Sequence, residues 1–277
     1  MKKKIVVISG SPRKKGNTMS MVGIFERNMK KIDSDIHFEY VYLIDKDLKY
    51  CRGCNTCLRK GGHNCPLKDD ASEILRTMHS ADGLVFASPG YSAMVSGLFK
   101  NFLDRFMYLD HIPEFIGVPV SIICTSGGDG VNGAPDFTSN NAITWWGCNI
   151  VNKIGIAHAF YYINNKYRKK TEMKLQKAAD KMHREISEKP KRSPTFRQYM
   201  YFMFNKVELQ ISSTVMPYRM KVWDEKGWIK ADYYYKAFVN PLYKTVCFFL
   251  FSYMKIAYRF LLGKNGDAAL ADWVKNN

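Results

Sequence analysis

The sequence lacks any long hydrophobic run. Its longest uncharged stretch towards the C-terminal end, residues 245–254, is about half of what a helix needs to span a bilayer, so no transmembrane helix is expected. The four apolar residues 5–8 are too few for the core of a secretion signal, and we therefore expect a cytoplasmic protein. Because 46% of the residues are hydrophobic and 24% are charged, a disordered chain is excluded.

Acidic residues are scarce, with 25 Asp and Glu against 42 Lys and Arg. Residues 1–150 contain 18 basic and 15 acidic residues, whereas residues 151–277 contain 24 and 10. The net charges are therefore +3 and +14, which indicates that the two halves face different surroundings. Two prolines and three cations in residues 189–194 predict a boundary between a domain at 1–189 and an extension at 190–277.

Short β-branched runs alternate with helical segments over the first 156 residues. We predict strands at residues 4–9, 37–44, 83–88, 119–125 and 149–156, the third of them ended by Pro89 and Gly90. Helices are predicted between them, including residues 96–109 and 136–146, and a basic helix follows at 166–187. This alternation predicts a parallel α/β sheet, whose ligands lie at the carboxyl ends of the strands.

The loop after the first predicted strand has the sequence Gly10-Ser-Pro-Arg13 followed by Gly16-Asn-Thr18. Its hydroxyls, backbone N–H groups and following helix N-terminus predict an anion site, to which the basic side chains of residues 13–15 add positive potential. An ordinary strand-to-helix turn with a polar cap is the alternative. The loop matches neither a Walker sequence nor the Gly-x-Gly-x-x-Gly of dinucleotide folds.

This loop, Ser88-Pro-Gly-Tyr91 and the segment at residues 96–105 together resemble motifs of the flavodoxin-like NAD(P)H-dependent FMN reductases. The resemblance covers roughly residues 1–185. The resemblance implies a flavodoxin-like α/β fold, with a doubly wound, five-stranded parallel sheet of order 2-1-3-4-5. The residues after 190 themselves predict a helical, aromatic C-terminal extension. The resemblance further implies an oxidoreductase in which FMN carries electrons from NAD(P)H, through flavin N5, to a flavin, quinone or other small acceptor. A homodimer or tetramer is also implied.

The resemblance implies three groups of FMN-binding residues. The phosphate would be held by Ser9, Ser11, Arg13, Asn17, Thr18, Met19 and Ser20. The isoalloxazine ring would lie along Pro89, Gly90, Tyr91, Ser92, Ala93 and Met94, and the third loop would contain Thr125, Ser126, Gly127 and Gly128. No side chain is needed as a nucleophile or base. No catalytic residue is therefore assigned, although Tyr91 is the candidate nearest to N5. Core packing of Tyr91 and Met94 is the alternative to flavin contact.

A cysteine-rich loop has the spacing Cys-x2-Cys-x2-Cys-x7-Cys, formed by Cys51, Cys54, Cys57 and Cys65. Such thiolates can hold a [4Fe–4S] cluster, and the pattern resembles that of iron–sulfur flavoproteins. That resemblance implies an electron-transfer protein with ferredoxin-like partners. Zinc and a metal-free loop are the alternatives, because four thiolates also suit a tetrahedral site. The other three cysteines lie in apolar contexts and are predicted core residues: Cys124, Cys148 and Cys247.

The residues after 190 combine aromatic side chains with lysines. Residues 196–207 predict a helix with one apolar face and with Asn205 on another face. In residues 241–262, Lys244 and Lys255 share a narrow stripe and the other faces are almost wholly apolar. Such a helix packs on the main domain or across a dimer, or it lies in a membrane interface, as in a membrane-surface reductase of lipid-soluble acceptors. Nucleic acid is not an expected partner, because no binding motif accompanies the charge.

Overall fold

The computed structural model describes residues 2–128, 130–190, 192–211 and 216–262. Its strands are β1 (Lys4–Ser9), β2 (His37–Tyr42), β3 (Gly83–Tyr91), β4 (Met94–Val95), β5 (Pro119–Ser126) and β6 (Asn149–Ala157). Its helices are α1 (Asn17–Ile32), α2 (Thr56–Lys60), α3 (Ala71–His79), α4 (Gly97–Arg105), α5 (Gly133–Thr138), α6 (His158–Ile163), α7 (Asn165–Glu188), α8 (Phe196–Ile211), α9 (Pro217–Glu225) and α10 (Pro241–Leu262).

Five of the strands form a parallel sheet in the order β2-β1-β3-β5-β6, which confirms the predicted flavodoxin-like topology. Strand β1 lies between β2 and β3, and its four apolar residues are fully buried, as expected of a strand covered on both faces. On one face, Ile5 and Val7 pack in a core with Val22 and Phe25 of α1 and Leu175 of α7. The other face carries an aromatic cluster in which the rings of α4 meet Phe86 of β3 and Trp146.

Strand β3 continues past the point where the sequence predicted its end. Pro89 pairs with Thr125 of β5, and Gly90 and Tyr91 then pair antiparallel with β4. The prediction that Pro89 and Gly90 break the strand is wrong. Proline removes only one hydrogen-bond donor, and Pro89 is the last residue of the parallel ladder, so the strand can continue by pairing with β4. The result is a short hairpin at the carboxyl end of the sheet.

The predicted helix at residues 136–146 is replaced by α5 and a wider π-helical turn at Ser139–Ile143. Hydroxyl groups bond to main-chain carbonyls in this region: Thr138 donates to Ala134 at 2.9 Å and Thr144 donates to Ser139 at 2.6 Å. Such side-chain bonds compete with regular helical bonding, which gives a physical reason for the change of helix type.

The chain divides into two compact units. The first contains Met1–Cys51, Asp69–Met107 and Phe115–Pro190, and it includes the whole sheet. The second contains Arg52–Lys68, Tyr108–Glu114 and the residues after Pro190. The predicted division at residue 189 stays a prediction.

The second unit is organised around buried aromatic rings. Phe202 of α8 contacts Trp223 of α9 and Tyr234, with ring centroids 5.7 Å and 4.8 Å apart. Asn205, which the helical pattern placed outside the apolar face, is fully buried, because its amide donates to the Asp110 carbonyl at 2.9 Å and accepts from Arg219 at 2.7 Å. Among the helices described, none is both long and apolar enough to cross a membrane.

Candidate functional site

Three loops meet at the carboxyl ends of the neighbouring strands β1, β3 and β5. The Gly10 amide donates to the Ala87 carbonyl at 2.8 Å, and the Ser96 hydroxyl donates to the Gly10 carbonyl at 2.6 Å. The hydroxyls of Thr18 and Thr125 join the first loop to the third at 2.7 Å. Direct hydrogen bonds therefore bring the three loops together at the carboxyl ends of the strands.

The first loop presents an uncapped helix end. Helix α1 begins after Gly16 without a side-chain cap and without an acidic residue in its first turn, so its first N–H groups suit an anion. The Ser11 hydroxyl donates to the Arg13 carbonyl at 2.9 Å and accepts from the Arg13 amide at 3.2 Å. The Arg13 side chain is exposed and Asn17 is half-buried, so both are accessible to a ligand.

Some of the residues predicted to bind phosphate are buried beneath this loop and stabilise it. Ser9 is fully buried, where its hydroxyl lies 3.1 Å from the sulfur of Met19 and accepts from the Ser11 amide at 3.3 Å. Thr18 is also buried against Thr125. Ser20 is exposed and donates to the Gly16 carbonyl at 3.3 Å. The geometry thus separates supporting residues from the exposed groups of the loop.

The second loop is the hairpin between β3 and β4. Its two turn residues, Ser92 and Ala93, have φ angles of 50° and 59°, which is the left-handed region that non-glycine residues rarely occupy. Backbone strain of this kind is often found at ligand sites. The hairpin leaves Tyr91 48% exposed and Met94 41% exposed at the edge of the sheet. Core packing of these two side chains, the alternative to flavin contact, does not occur in the first unit.

The third loop offers open space. A Cβ atom added at Gly127 or Gly128 would meet nothing within 4 Å, and the loop is bridged by the Ser126 hydroxyl, which donates to the Gly128 carbonyl at 3.2 Å. An open backbone surface beside the exposed side chains of the hairpin is suited to a flat ring, since main-chain N–H groups can bond its polar edge. The three loops therefore fit FMN, with a phosphate at α1 and a ring at the hairpin.

Two features of this region were not found from the sequence. A Cβ atom at Gly133 would lie 2.0 Å from the Ala93 carbonyl oxygen, so α5 approaches the hairpin closely only because residue 133 is glycine. The hydroxyl of Tyr162 donates to Asn17 at 3.2 Å, beside a cavity of about 540 Å³. Its wall includes Lys14, Lys15, Tyr40, Tyr42 and Tyr162. No local pattern links residues 145 positions apart, so this contact left no signal in the sequence.

The cysteine loop is largely accessible. Cys51 and Cys54 are exposed, whereas Cys57 and Cys65 are half-buried. The Thr56 hydroxyl lies 3.3 Å from the sulfur of Cys54, and this hydrogen bond lowers the pKa of the Cys54 thiol. Among the residues that the structure describes, no three Cys, His, Asp or Glu side chains are grouped as a metal site.

The three remaining cysteines, Cys124, Cys148 and Cys247, are buried as predicted. Burial raises the pKa of Cys124 to about 12 and also raises the pKa of Cys247. These thiols therefore act as small core side chains.

Curated proteins resemble part of the chain. The curated relatives include iron–sulfur flavoproteins of Methanocaldococcus jannaschii, 42% identical over 102 residues, and of Archaeoglobus fulgidus, 37% identical over 114 residues. These matches cover 37% and 41% of this chain, and 51% and 50% of the relatives. The chain thus spans about half the length of the curated relatives it matches.

Solved structures share the fold at low sequence identity. An azoreductase from Bacillus anthracis has a TM-score of 0.51 at 14% identity, covering 66% of this chain and 99% of that chain. An FMN-dependent NADH-azoreductase from the same species, in complex with FMN, has a TM-score of 0.50 at 16% identity, covering 65% and 99%. Residues 3–161, more than half of the chain, match the NADPH-dependent FMN reductase family. The protein therefore belongs to that family and is distantly related to the iron–sulfur flavoproteins.

Proposed function

We propose that this chain is an oxidoreductase that binds FMN and passes electrons from NAD(P)H to a small acceptor, such as a flavin or a quinone. The observation that supports the proposal is that the Thr18–Thr125 and Ser96–Gly10 hydrogen bonds hold the three predicted flavin loops together at one edge of the sheet. Family membership supports it, and the solved azoreductase bound to FMN has the same fold. We also propose a homodimer or tetramer, as the family resemblance implies.

The chain's own residues would bind and orient the cofactor. Arg13, Asn17 and the first-turn amides of α1 would hold the phosphate, because they combine positive charge with unsatisfied N–H donors. The hairpin and the third loop would hold the ring. When bound, FMN supplies the chemistry by accepting hydride at N5 and releasing electrons singly or in pairs.

Tyr91 would cover one part of the ring. Its side chain is half exposed next to the strained residues 92 and 93, so its position is set by the hairpin. An aromatic side chain there would exclude water and restrict which acceptors approach. Replacing Tyr91 with alanine should alter the rate of flavin reoxidation, and an unchanged rate would remove it from the site.

Flavin binding is the direct test of the proposal. Titration of the flavin-free protein with FMN, followed by flavin fluorescence, should show saturable binding that Arg13→Ala weakens by about tenfold or more, because a charge-assisted contact is lost. Arg76→Ala is the matched control, since Arg76 is also exposed but lies on α3, which leads to the amino end of β3. Absence of FMN binding in the wild-type protein after reconstitution would contradict the proposal.

A second candidate function is electron transfer through FMN and a [4Fe–4S] cluster to ferredoxin-like partners. It is favoured by the four-cysteine spacing and by the relatives that are named iron–sulfur flavoproteins. The chemistry of the donor set fits such a cluster, and it also fits zinc.

Metal analysis distinguishes the alternatives for the cysteine loop. Anaerobically purified protein should contain about four irons per chain if a cluster is bound, and Cys57→Ser should then remove iron while FMN is retained. Rapid reduction by a ferredoxin with slow NAD(P)H turnover would favour electron transfer. If zinc is found without iron, the loop is a zinc site. If neither metal is found, the loop is metal-free.

A further inference from the structure

A tyrosine outside the three flavin loops contacts the loop that is predicted to bind phosphate. The hydroxyl of Tyr162, on α6, donates to Oδ1 of Asn17 at 3.2 Å. Asn17 is the first residue of α1, whose N-terminus has no side-chain cap. Helix α6 follows β6 at one edge of the sheet, whereas α1 follows β1. The hydrogen bond therefore joins a predicted phosphate ligand to a distant segment of the chain.

The direction of this hydrogen bond orients the Asn17 side chain. A phenol hydroxyl that donates to Oδ1 holds the oxygen of the amide and leaves the Nδ2 amino group, which can only donate, on the other branch of the amide. An anion binds to the amino group, whereas the amide oxygen would repel it. A side chain that is already oriented loses less conformational freedom when its ligand binds. The contact with Tyr162 therefore suits Asn17 to an anionic ligand.

Asn17 differs from most of the other predicted phosphate ligands in the contacts of its donor group. Four of those residues have hydroxyl groups that are hydrogen-bonded within the protein: Ser9, Ser11, Thr18 and Ser20. The Nδ2 group of Asn17 is not hydrogen-bonded to any residue that the structure describes. Together with the exposed side chain of Arg13, this amino group is therefore a donor available to a ligand.

The position of Tyr162 is set by the helix that carries it. The neighbouring Tyr161 is 9% exposed, and its hydroxyl donates to Glu172 of α7 at 2.9 Å. The rings of Tyr161 and Tyr162 meet edge-on, with centroids 5.3 Å apart. At the start of α6, the Ala157 amide donates to the Tyr167 hydroxyl at 2.9 Å. Since these contacts hold α6 independently of the phosphate loop, the Tyr162 hydroxyl can act as a fixed donor.

We propose that Tyr162 is a positioning residue for phosphate binding. Its hydroxyl holds Oδ1 of Asn17, so that the Nδ2 amino group donates to a phosphate oxygen of the flavin. The inference rests on the proposed FMN site and adds to it a determinant of specificity that lies outside the three loops. Because riboflavin has the same ring system and no phosphate, Tyr162 favours FMN over riboflavin.

Titration of the flavin-free protein with FMN and with riboflavin tests this role. In Tyr162→Phe, the Kd for FMN should rise about threefold to tenfold, as expected when one hydrogen bond no longer contributes. The Kd for riboflavin should stay the same, because riboflavin offers no phosphate to Asn17. Flavin fluorescence measures both constants. An equal loss of affinity for the two flavins would overturn the proposal, since the effect would then lie at the ring.

A second pair of variants tests whether Tyr162 acts through Asn17, and it needs only FMN as the ligand. Asn17→Ala removes the donor to the phosphate and should itself weaken FMN binding. Adding Tyr162→Phe to Asn17→Ala should then have no further effect, because the amide that Tyr162 positions is absent. Additive losses of affinity would overturn the proposal, since Tyr162 would then contribute independently of Asn17.

Tyr42→Phe is the matched control. Tyr42 lines the same cavity as Tyr162, and its ring lies 5.5 Å from Nζ of Lys14 in the phosphate loop. The substitution removes a hydroxyl and keeps this ring, so the affinity for FMN should be unchanged. Equal losses of affinity in Tyr42→Phe and Tyr162→Phe would overturn the assignment to Tyr162. Circular dichroism and the unfolding midpoint check that each variant is folded.

Failure of this inference is distinguishable from failure of the proposed function. If the wild-type protein binds no FMN after reconstitution, both are wrong. If the wild-type protein binds FMN and Tyr162→Phe binds it with the same Kd, the proposed function stands and only the role of Tyr162 is overturned.

Discussion

The hydroxyl oxygens of Thr18 and Thr125 lie 2.7 Å apart, and both side chains are buried. Thr18 belongs to the first turn of α1, whereas Thr125 lies near the end of β5. Their hydrogen bond therefore connects the predicted phosphate site with the third loop across β3. Because this hydrogen bond is buried, packing in the core fixes the position of one loop relative to the other.

Removing one of these hydroxyls should destabilise the protein. Thr18→Val leaves the buried hydroxyl of Thr125 without its partner, so the free energy of unfolding should fall by about 1–3 kcal/mol. The double variant Thr18→Val/Thr125→Val should lose less than the sum of the single variants. Denaturant unfolding measures all three, and Ser20→Ala on the exposed side of α1 is the control. Additive losses would show that the two hydroxyls are not coupled.

The contact between α5 and the hairpin should depend on glycine at position 133. In Gly133→Ala, the new Cβ would lie 2.0 Å from the Ala93 carbonyl oxygen, so the hairpin must move. We expect a loss of about 1–3 kcal/mol in unfolding free energy, together with weaker FMN binding. Gly128→Ala should leave the unfolding free energy unchanged, since no protein atom lies within 4 Å of its added Cβ. The same response from both variants would contradict this close approach.

A buried ion pair should stabilise the first unit. Arg105 donates to both carboxylate oxygens of Asp69, at 2.8 Å and 2.9 Å, and both side chains are almost fully buried. Arg105→Met would leave the carboxylate buried without its partner and should cost about 3–5 kcal/mol. Lys100→Met breaks the exposed pair with Asp104 on the same helix and should cost less than about 0.5 kcal/mol. Thermal unfolding measures the stability of both variants. Equal losses of stability in the two would show that burial does not strengthen the Arg105–Asp69 pair.

The second unit should lose stability in acid through Glu208. Burial raises the pKa of Glu208, but the hydrogen bond with His111 and the charge of Arg219 lower it more, so the net shift is downward. A lowered pKa in the folded state gives stability that is complete above the ordinary glutamate pKa. That stability is lost as the pH falls through the folded-state value.

Glu208→Gln should therefore flatten the decline in unfolding free energy below about pH 4.3. Denaturant titrations at several pH values measure this slope. Glu225→Gln is the control, because Glu225 is exposed and 3.8 Å from Lys221. An unchanged slope in Glu208→Gln would place the acid-sensitive group elsewhere.

The strands were predictable from the sequence because they rest on local patterns, whereas their order in the sheet was implied by the family resemblance. A run such as residues 5–8 is apolar throughout, as a strand covered on both faces requires, and the alternation with helices limits the sheet to parallel crossovers. The same local logic located the loop that precedes α1. It failed at Pro89, which pairs with the distant Thr125 of β5 and is followed by Gly90 and Tyr91 in the hairpin with β4.

The composition and spacing of its residues determined that this protein has a parallel α/β domain, a candidate anion loop and an apolar, basic C-terminal helix. Tertiary structure alone decided that Thr18 meets Thr125 across 107 residues and that Asn205 is buried against Arg219. It also decided which face of α10 packs on α8 and which remains exposed. The reason is physical: periodicity specifies which side of an element is apolar, but only packing between distant segments decides which polar groups meet and which apolar face is covered.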